Sequence, residues 1–375
     1  MKTLVEATSA YTVGAGVGRY ARNVLDVVLQ EGAEHQWTLV HARQDRGAPL
    51  YWDPPTGPHV RARALPVTRR NADRLWHRLR VPLDVQLLTG RGDVLYSPDF
   101  MAPPAIGVPR MITVHDIAFL THPAYTTQGL RDFLSAVVPR EIRSAARVAV
   151  VSEAVRIDLI EVLGVPSEKI VVARNGVDRR FLEARPLAAE RRQSFGIPDR
   201  YLLMVGTIEP RKNHLNTLLA FERSGVGKEI PLILAGRPGW AFEEALEKAH
   251  ELAARGIVKL LDYVPEQDLP GLYAGAHAVL YPSITEGFGL PIVEALATGT
   301  AVLTGTAPAL REVGGAFARY ADPLNIDELV EHLLALAAAD DGSEVEQEAR
   351  RAWARTFSWE ETGATVLRTL EELAG

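Results

Sequence analysis

Short apolar segments alternate with longer segments of helical periodicity along almost the whole chain. The first half holds six apolar segments of strand length: KTLVEA, QWTLVHA, DVLYS, RMITVHD, RVAVVS and KIVVA. The second half holds five: YLLMVGT, PLILAG, VKLLDYV, HAVLYPS and AVLTG. Because these segments are short and β-branched and helix-length stretches separate them, the pattern predicts parallel sheets built from β-α-β units.

The alternation is interrupted once, between residues 173–178 and 200–207, by an Arg- and Glu-rich stretch that contains Pro186 and Pro198. A chain of 375 residues exceeds one ordinary hydrophobic core, so two domains are expected. We therefore predict an α/β protein with two doubly wound, Rossmann-like parallel-sheet domains that face each other across a cleft. In such sheets, ligands bind beyond the carboxyl ends of the strands.

Composition narrows the class of protein. The chain is 47% hydrophobic and 23% charged, which is typical of a globular protein. A net charge of −6 argues against a general affinity for nucleic acid. The absence of cysteine excludes disulfides, thiolate zinc sites and thiol nucleophiles. The first ten residues do not resemble a signal peptide, and no apolar run approaches the roughly 18 residues of a spanning helix. We expect a soluble, cytoplasmic protein.

A glycine-rich turn, VGAGVGRY at 13–20, follows the first predicted strand and opens a helix. Gly14, Gly16 and Gly18 give the spacing G-x-G-x-G, and Arg19 stands where a dinucleotide-binding motif needs its third glycine. The next strand also does not end in an acid that would bind a ribose diol. An NAD-dependent dehydrogenase is therefore disfavoured, and a tight strand-helix turn remains the alternative to a phosphate-binding loop.

The segment TVHDIAFL places His115 and Asp116 where an apolar strand gives way to a loop. A lone histidine is more often structural than functional. Its position at the carboxyl end of a strand favours a role in ligand binding. No second histidine or carboxylate stands at a metal-ligand spacing, so no metal site is predicted.

A pair of cations, Arg211 and Lys212, follows Pro210 in the segment VGTIEPRKNH, just ahead of a predicted helix. Because the amino end of a helix favours anions, two cations there do not serve helix stability. A bidentate guanidinium beside an ammonium group is well suited to hold a phosphate. The alternative is a solvated charged turn.

Two glutamates, Glu286 and Glu294, flank the glycine-rich stretch EGFGLPIVE. Gly287 and Gly289 leave the backbone bare, and Pro291 suits the first turn of a helix whose amides can hold a phosphate. Carboxylates instead accept paired hydrogen bonds from vicinal hydroxyls. A ligand with phosphate in the middle and diols at both ends is a nucleotide sugar. The alternative is a surface-loop glutamate followed by an unrelated helix-face glutamate.

Together, these segments resemble the retaining glycosyltransferases of the GT-B fold that carry a Glu-x7-Glu motif, in glycosyltransferase family 4. The resemblance covers nearly the whole chain. It rests on the glycine loop and on the segments HD, NGVD, GTIEPRKN, YVPEQDLPGLYAGA, PSITEGFGLPIVEA and FSWEETG. Within that family, TVHDIAFL and GTIEPRKN are most similar to bacterial mannosyltransferases that build surface polysaccharides.

The resemblance implies roles for residues of the second domain. Arg211 and Lys212 would hold the diphosphate, Glu286 would bind hydroxyls of the donor sugar, and Glu294 would bind the ribose. The backbone near Val264 would meet the base. Four consecutive residues would line sugar and phosphate with their amides: Gly287, Phe288, Gly289 and Leu290.

In the first domain, the resemblance implies that His115 touches a far hydroxyl of the donor sugar, with Asp116 beside it. Gly16 would let the glycine loop approach the phosphate or the acceptor. One departure from the family pattern is Thr207, where some members carry a basic residue. The catalytic group is thus expected to comprise His115, Arg211, Lys212 and Glu286.

The interruption of the strand pattern places the domain boundary, and the resemblance implies the role of each domain. Residues 1–178 would form the amino-terminal, acceptor-binding domain, and residues 179–358 the carboxy-terminal, donor-binding domain. A final helix at about 359–375 would cross back onto the first domain.

The predicted function is transfer of a hexose, mannose from GDP-mannose, with retention, to a saccharide or lipid-linked acceptor in surface polysaccharide or glycoconjugate synthesis. No metal and no further cofactor are expected. Alternatives remain for the donor, which could be UDP-glucose or another nucleotide sugar. They also remain for the protein class, which could be a phosphorylase, an epimerase or a non-catalytic sugar-binding scaffold.

Residues 61–80 carry seven arginines and one aspartate, and Leu75, Trp76 and Leu79 suit one helical face. Peripheral membrane contact through this stretch is a further expectation, with a solvated basic loop and helix as the alternative.

Overall fold

The strands form two separate parallel sheets in the computed structural model, which describes residues 1–14, 16–44, 47, 49–339 and 342–375. The chain divides into one unit of Met1–Gly176 with Ser358–Gly375, and a second of Val177–Phe357. The predicted class, two parallel-sheet α/β domains, is confirmed.

The first unit holds a seven-stranded sheet in the order β3-β2-β1-β4-β5-β6-β7. Its strands are β1 (Lys2–Glu6), β2 (Gln36–Arg43), β3 (Val60–Thr68), β4 (Val94–Ser97), β5 (Arg110–Val114), β6 (Arg147–Val150) and β7 (Ile170–Val172). Its helices are α1 (Thr8–Thr12), α2 (Val17–Glu31), α3 (Arg69–Ala72), α4 (Gln86–Thr89), α5 (Ala118–Thr121), α6 (Gln128–Ser144) and α7 (Glu153–Leu163). A π-helix, Asp73–Arg78, continues directly from α3.

The second unit holds a six-stranded sheet in the order β10-β9-β8-β11-β12-β13. Its strands are β8 (Leu202–Val205), β9 (Leu232–Ala235), β10 (Val258–Leu261), β11 (Ala278–Tyr281), β12 (Ala301–Thr304) and β13 (Arg319–Tyr320). Its helices are α8 (Arg179–Leu182), α9 (Ala189–Ser194), α10 (His214–Ser224), α11 (Glu243–Ala254), α12 (Leu269–Ala274), α13 (Leu290–Thr298), α14 (Pro308–Gly314), α15 (Ile326–Ala338) and α16 (Glu344–Ala354).

The last helix, α17 (Trp359–Ala374), packs against α2 in the first unit. Gly363 permits this contact, because a Cβ there would lie 2.3 Å from Val27 Cγ1. Trp359 adds an edge-on contact with the ring of Tyr20, at 5.9 Å between centroids. The carboxy-terminal residues are therefore part of the hydrophobic core of the first unit.

Eleven apolar segments of the sequence predict strands, and all eleven contain a strand in the structure. The sequence pattern did not predict β3 or β13. β3 lies at the edge of the first sheet and is mostly exposed, so main-chain pairing with β2, not apolar burial, holds it there. Residues 61–68 belong to β3, so the alternative given for residues 61–80, a solvated basic loop and helix, does not describe their first part. Among the described residues, no helix is both long and apolar enough to cross a bilayer.

Candidate functional site

Two neighbouring strands of the second sheet bring the predicted site residues together. β8 leads through a turn into Arg211 and Lys212, which lie in a 3-10 turn, Pro210–Lys212, ahead of α10. β11 leads into the loop that carries Glu286. β8 and β11 are adjacent and parallel, so their carboxyl ends meet at one edge of the sheet. The amide of Ile284 donates to the carbonyl of Arg211 at 2.9 Å and ties the turn to the loop.

Glu286 is the counterion of both cations. Arg211 Nη1 lies 2.6 Å from Glu286 Oε2, and Lys212 Nζ lies 2.5 Å from Glu286 Oε1. Tyr281 OH donates to Glu286 Oε1 at 2.7 Å and also contacts Lys212 Nζ. Glu209 Oε1 accepts from Arg211 Nη2 at 3.1 Å. We call these five side chains, Glu209, Arg211, Lys212, Tyr281 and Glu286, the ionic cluster.

Burial and charge set the protonation of the ionic cluster. Burial alone raises the pKa of Glu286, but Arg211 and Lys212 outweigh it and hold that pKa at about 2. Burial lowers the pKa of Lys212, with Glu286 opposing this effect. Burial also raises the pKa of Tyr281 well above its usual value, so the phenol stays protonated and donates to Glu286. Glu286 is therefore a carboxylate at neutral pH.

The ionic cluster leaves Glu286 with little free acceptor capacity. An ionised carboxylate offers about four acceptor positions. Three donors occupy them here, from Arg211, Lys212 and Tyr281. The sequence predicted that Glu286 binds sugar hydroxyls and that the cations bind phosphate. It did not indicate that this carboxylate also holds the two cations in place.

The glycine-rich stretch places a helix beside the ionic cluster. Gly289 caps the amino end of α13 at φ 108°. Residues other than glycine are strained in this backbone conformation because of their Cβ atom. Pro291 lies in the first turn, and Gly299 ends the helix in the left-handed conformation, both as predicted. The amides that open α13 therefore lie just after Glu286. Phe288 is 3% exposed and packs edge-on against Phe357.

Glu294 lies inside α13, where it is 2% exposed. Glu286 and Glu294 thus occupy different settings, a loop and a helix interior. Val264 is half-buried in the loop between β10 and α12. Leu290 opens α13, and Gly287 is buried in the loop before it. All the predicted residues of the second unit therefore follow the carboxyl ends of β8, β10 and β11.

In the first unit, His115 and Asp116 directly follow β5, whereas Gly16 lies between α1 and α2 and not directly after β1. His115 is half-buried, its Nε2 lies 2.9 Å from the carbonyl oxygen of Pro98, and its ring meets Tyr20 edge-on at 4.8 Å. Asp116 Oδ1 accepts from the amide of Ala118 at 3.0 Å. Gly16 is exposed and precedes α2 at φ 52°.

The sequence analysis missed three side chains that organise these regions. Glu209 and Tyr281 are buried members of the ionic cluster. Arg22 is buried on α2 and donates to the carbonyls of Val13 and Gly14 at 2.6 and 2.9 Å, which holds the glycine loop. Glu209 and Tyr281 lie within or beside segments already singled out, at the ends of β8 and β11. Their position after strands is the signal that could have identified them.

Each half of the chain matches a known glycosyltransferase family. Residues 14–181 match the family described as Glycosyltransferase Family 4, and residues 188–354 match the family described as Glycosyl transferases group 1. A relative, the O-antigen chain mannosyltransferase B of Escherichia coli, is 31% identical over 274 residues, which are 71% of each chain.

Solved structures agree in fold. Anabaena Alr3699/HepE in complex with UDP and glucose is similar with a TM-score of 0.73 and 18% identity, over 99% of each chain. WaaG, a glycosyltransferase involved in lipopolysaccharide biosynthesis, is similar with a TM-score of 0.70 and 16% identity, also over 99% of each chain. At these identities, the likeness to the solved structures establishes the fold alone.

Proposed function

Because the chain belongs to the glycosyltransferases of group 1 and family 4, we propose that it transfers mannose from GDP-mannose to a saccharide or lipid-linked acceptor. The acceptor would belong to a growing surface polysaccharide or glycoconjugate. The observation that carries this proposal is the ionic cluster, in which two partly buried cations lie at adjacent strand ends beside the start of α13.

The cations suit a diphosphate. Arg211 offers a planar fork and Lys212 a compact charge, and their side chains are 19% and 14% exposed. The amides at the start of α13 add partial positive charge on the same side of the sheet. Negative charge grows on the diphosphate as its bond to the sugar breaks, and preorganised cations stabilise that charge most in the transition state. This chain's own cations can therefore assist departure of the leaving group without a metal.

Glu286 serves two purposes in this proposal. It keeps both cations in place before the donor binds, and its remaining acceptor position receives one hydroxyl of the mannose. Glu294 would bind the ribose, and the backbone near Val264 the base. The amides of residues 287–290 would line sugar and phosphate.

The residues of the first unit complete the proposed reaction. His115 and Asp116 would bind the far hydroxyls of the sugar, with Gly16 near the phosphate or the acceptor. The acceptor oxygen would attack the anomeric carbon on the face that the diphosphate leaves, and its proton would pass to the departing phosphate oxygen. The product would retain the anomeric configuration of the donor.

Mannose is favoured by the relative named for mannosyl transfer. GDP is part of the proposal because the sequence resembles bacterial mannosyltransferases. UDP-glucose is the second candidate donor, because a structure of the same fold holds UDP and glucose. The two candidates share the diphosphate and the sugar hydroxyls, and differ in the base and in the configuration at one carbon of the hexose.

A panel of nucleotide sugars tests the proposal. We expect GDP-mannose to be turned over and to stabilise the purified protein by RT ln(1 + [L]/Kd), about 2.7 kcal/mol at 100 times Kd. UDP-glucose should have little effect, and the anomeric configuration of the product is read by NMR. Turnover should be the same with EDTA. Stabilisation by UDP-glucose alone would identify the second donor, and activity that needs added magnesium or manganese would contradict the metal-free proposal.

We also propose that the protein is cytoplasmic and meets the inner face of the membrane through residues 70–88. Trp76 is buried, so the expected apolar face of Leu75, Trp76 and Leu79 is wrong. Other apolar side chains are exposed beside the exposed arginines of this stretch. They are Leu79 (63%), Val81 (37%), Leu83 (40%), Leu87 (75%) and Leu88 (49%). Apolar side chains flanked by arginines are suited to an anionic lipid surface.

Flotation with anionic vesicles measures this contact. We expect salt-sensitive binding that is lost in Arg70→Glu with Arg74→Glu and weakened in Leu87→Ser with Leu88→Ser. The matched control is Arg179→Glu with Arg185→Glu, which makes the same change of net charge at exposed residues of the second unit. Equal loss of binding in the control pair would show a nonspecific charge effect and contradict the proposed surface.

A further inference from the structure

A small cavity of mixed polar and apolar lining lies at the carboxyl edge of the first sheet, apart from the residues assigned above. Its volume is about 30 Å³. It is lined by the ends of β1 and β2, by α1, α3 and the π-helix, and by the loop after β4. A single water needs at least roughly 10–15 Å³ of such volume, so this cavity has room for one or two hydroxyl-sized groups.

The polar part of the lining includes three carboxyl groups. Glu6 ends β1 and accepts from the amide of Thr8 at 3.2 Å. Burial raises the pKa of Glu6 to about 7, against the opposing effects of Thr8 and Arg69. Asp99 is 5% exposed and lies 3.5 Å from Arg69, and Asp73 begins the π-helix. Three carboxyl groups therefore share this cavity with one arginine and with His77.

A buried hydroxyl in the same lining has no partner. Ser9 is 1% exposed, and its Oγ makes no hydrogen bond within the part of the chain that the structure describes. A buried polar group without a partner is unfavourable, and native proteins rarely keep one. Ser9 thus points to a ligand group that completes its hydrogen bonding.

The π-helix forms another part of the cavity lining. The π-helix Asp73–Arg78 places Trp76 and His77 in the cavity lining, where they are 8% and 6% exposed. Trp76 Nε1 donates to the carbonyl of Leu83 at 3.2 Å. Single π-helical turns are rare and occur frequently at functional sites. An apolar ring beside carboxyl groups and a hydroxyl matches the mixed character of a sugar.

We propose that this cavity is an acceptor subsite, in which Ser9, Glu6 and Asp99 bind one hydroxyl or hydroxymethyl group of a neutral hexose. The proposal rests on the glycosyltransferase function proposed above and adds a selection among acceptors. Asp99 and Asp73 repel anionic groups, so uronic acids and phosphorylated sugars are excluded. The hydroxyl of a neutral sugar both donates to a carboxylate and accepts from Ser9 Oγ, which satisfies both groups at once.

The test uses methyl α-mannoside and its monodeoxy analogues as probes of binding to the full chain, by saturation-transfer NMR without donor. Ser9→Ala should weaken methyl α-mannoside binding about tenfold, the equivalent of one hydrogen bond of about 1.4 kcal/mol. One deoxy analogue should bind the unaltered protein equally weakly. Ser9→Ala should bind that analogue as well as the unaltered protein does. A general packing defect would instead weaken the binding of both sugars. Glu6→Gln should also weaken binding, and methyl mannuronate should not bind.

The matched control is Thr3→Val, which removes another buried hydroxyl without a hydrogen-bond partner among the described residues, on β1 and outside the cavity. It should leave mannoside binding unchanged, and the melting temperature of each variant shows that it is folded. Unchanged binding in Ser9→Ala and Glu6→Gln, or equal binding of the mannuronate, would overturn the subsite. Hydrolysis of GDP-mannose, measured in the same variants without acceptor, reports on the proposed function separately.

Discussion

Lys212→Ala is expected to lower kcat at saturating donor by about 10²-fold or more, the order of effect seen when one preorganised donor is removed from a developing charge. Lys212 is partly buried, and its Nζ lies 2.5 Å from Glu286, so its position is set before the donor binds. In the proposed reaction, this cation would interact more strongly with the leaving diphosphate than with the bound ground state. Donor-saturation kinetics on the purified variant measure the effect.

Arg211→Ala should behave similarly, and the double variant should lose less than the summed effects if both cations hold one phosphate. Arg211→Lys should not restore activity, because an ammonium group cannot reproduce the guanidinium fork. Glu294→Gln alters the residue proposed to bind the ribose, and should raise the donor KM more than it lowers kcat. Lys228→Ala, at an exposed lysine of the same unit, is the control. A Lys212→Ala variant that changes only KM would refute the leaving-group role.

Glu286→Ala is expected to destabilise the protein by about 3–5 kcal/mol, because it leaves two partly buried cations without their common counterion. The pKa of Glu286 is about 2, below the 4.5 of an unperturbed glutamate. Its stabilising contribution is therefore fully present above pH 4.5 and is lost as the pH falls from 4.5 towards 2. The difference in unfolding free energy between the unaltered protein and the variant should shrink across that range, as measured by urea unfolding.

Inorganic pyrophosphate distinguishes this explanation from a general packing defect. An anion that binds Arg211 and Lys212 replaces the missing carboxylate, so pyrophosphate should stabilise Glu286→Ala more than the unaltered protein. Glu286→Gln keeps the shape of the side chain and should show the same preference. Glu331→Ala removes an exposed glutamate of α15 and should show none. Equal stabilisation of all four proteins by pyrophosphate would contradict the counterion role.

Residues 61–80 show where sequence reasoning stops. A helical pattern placed Trp76 on an exposed apolar face, but the π-helix turns this side chain into the unit. Hydrophobic periodicity assumes regular helix geometry, and a π-helical turn changes which side chains share a face. The edge strand β3 was missed for a related reason. Its exposed arginines interrupt the apolar pattern that predicts strands, and main-chain pairing with β2 holds the strand in place.

The sequence by itself determined the two parallel sheets, the turn that carries Arg211 and Lys212, and the limits of α13 between Gly289 and Gly299. These features depend on local preferences, namely apolar segment length, glycine conformation and proline position, which a short stretch of chain contains in full. Only the tertiary structure decided that Glu286 binds both cations and that Tyr281 and Glu209 join them. β8 and β11 are neighbours in the sheet although about 75 residues separate their site residues, and strand order depends on the packing of the whole unit. The pKa of Glu286 has the same origin, because burial and two positive charges act on it from a distant part of the chain.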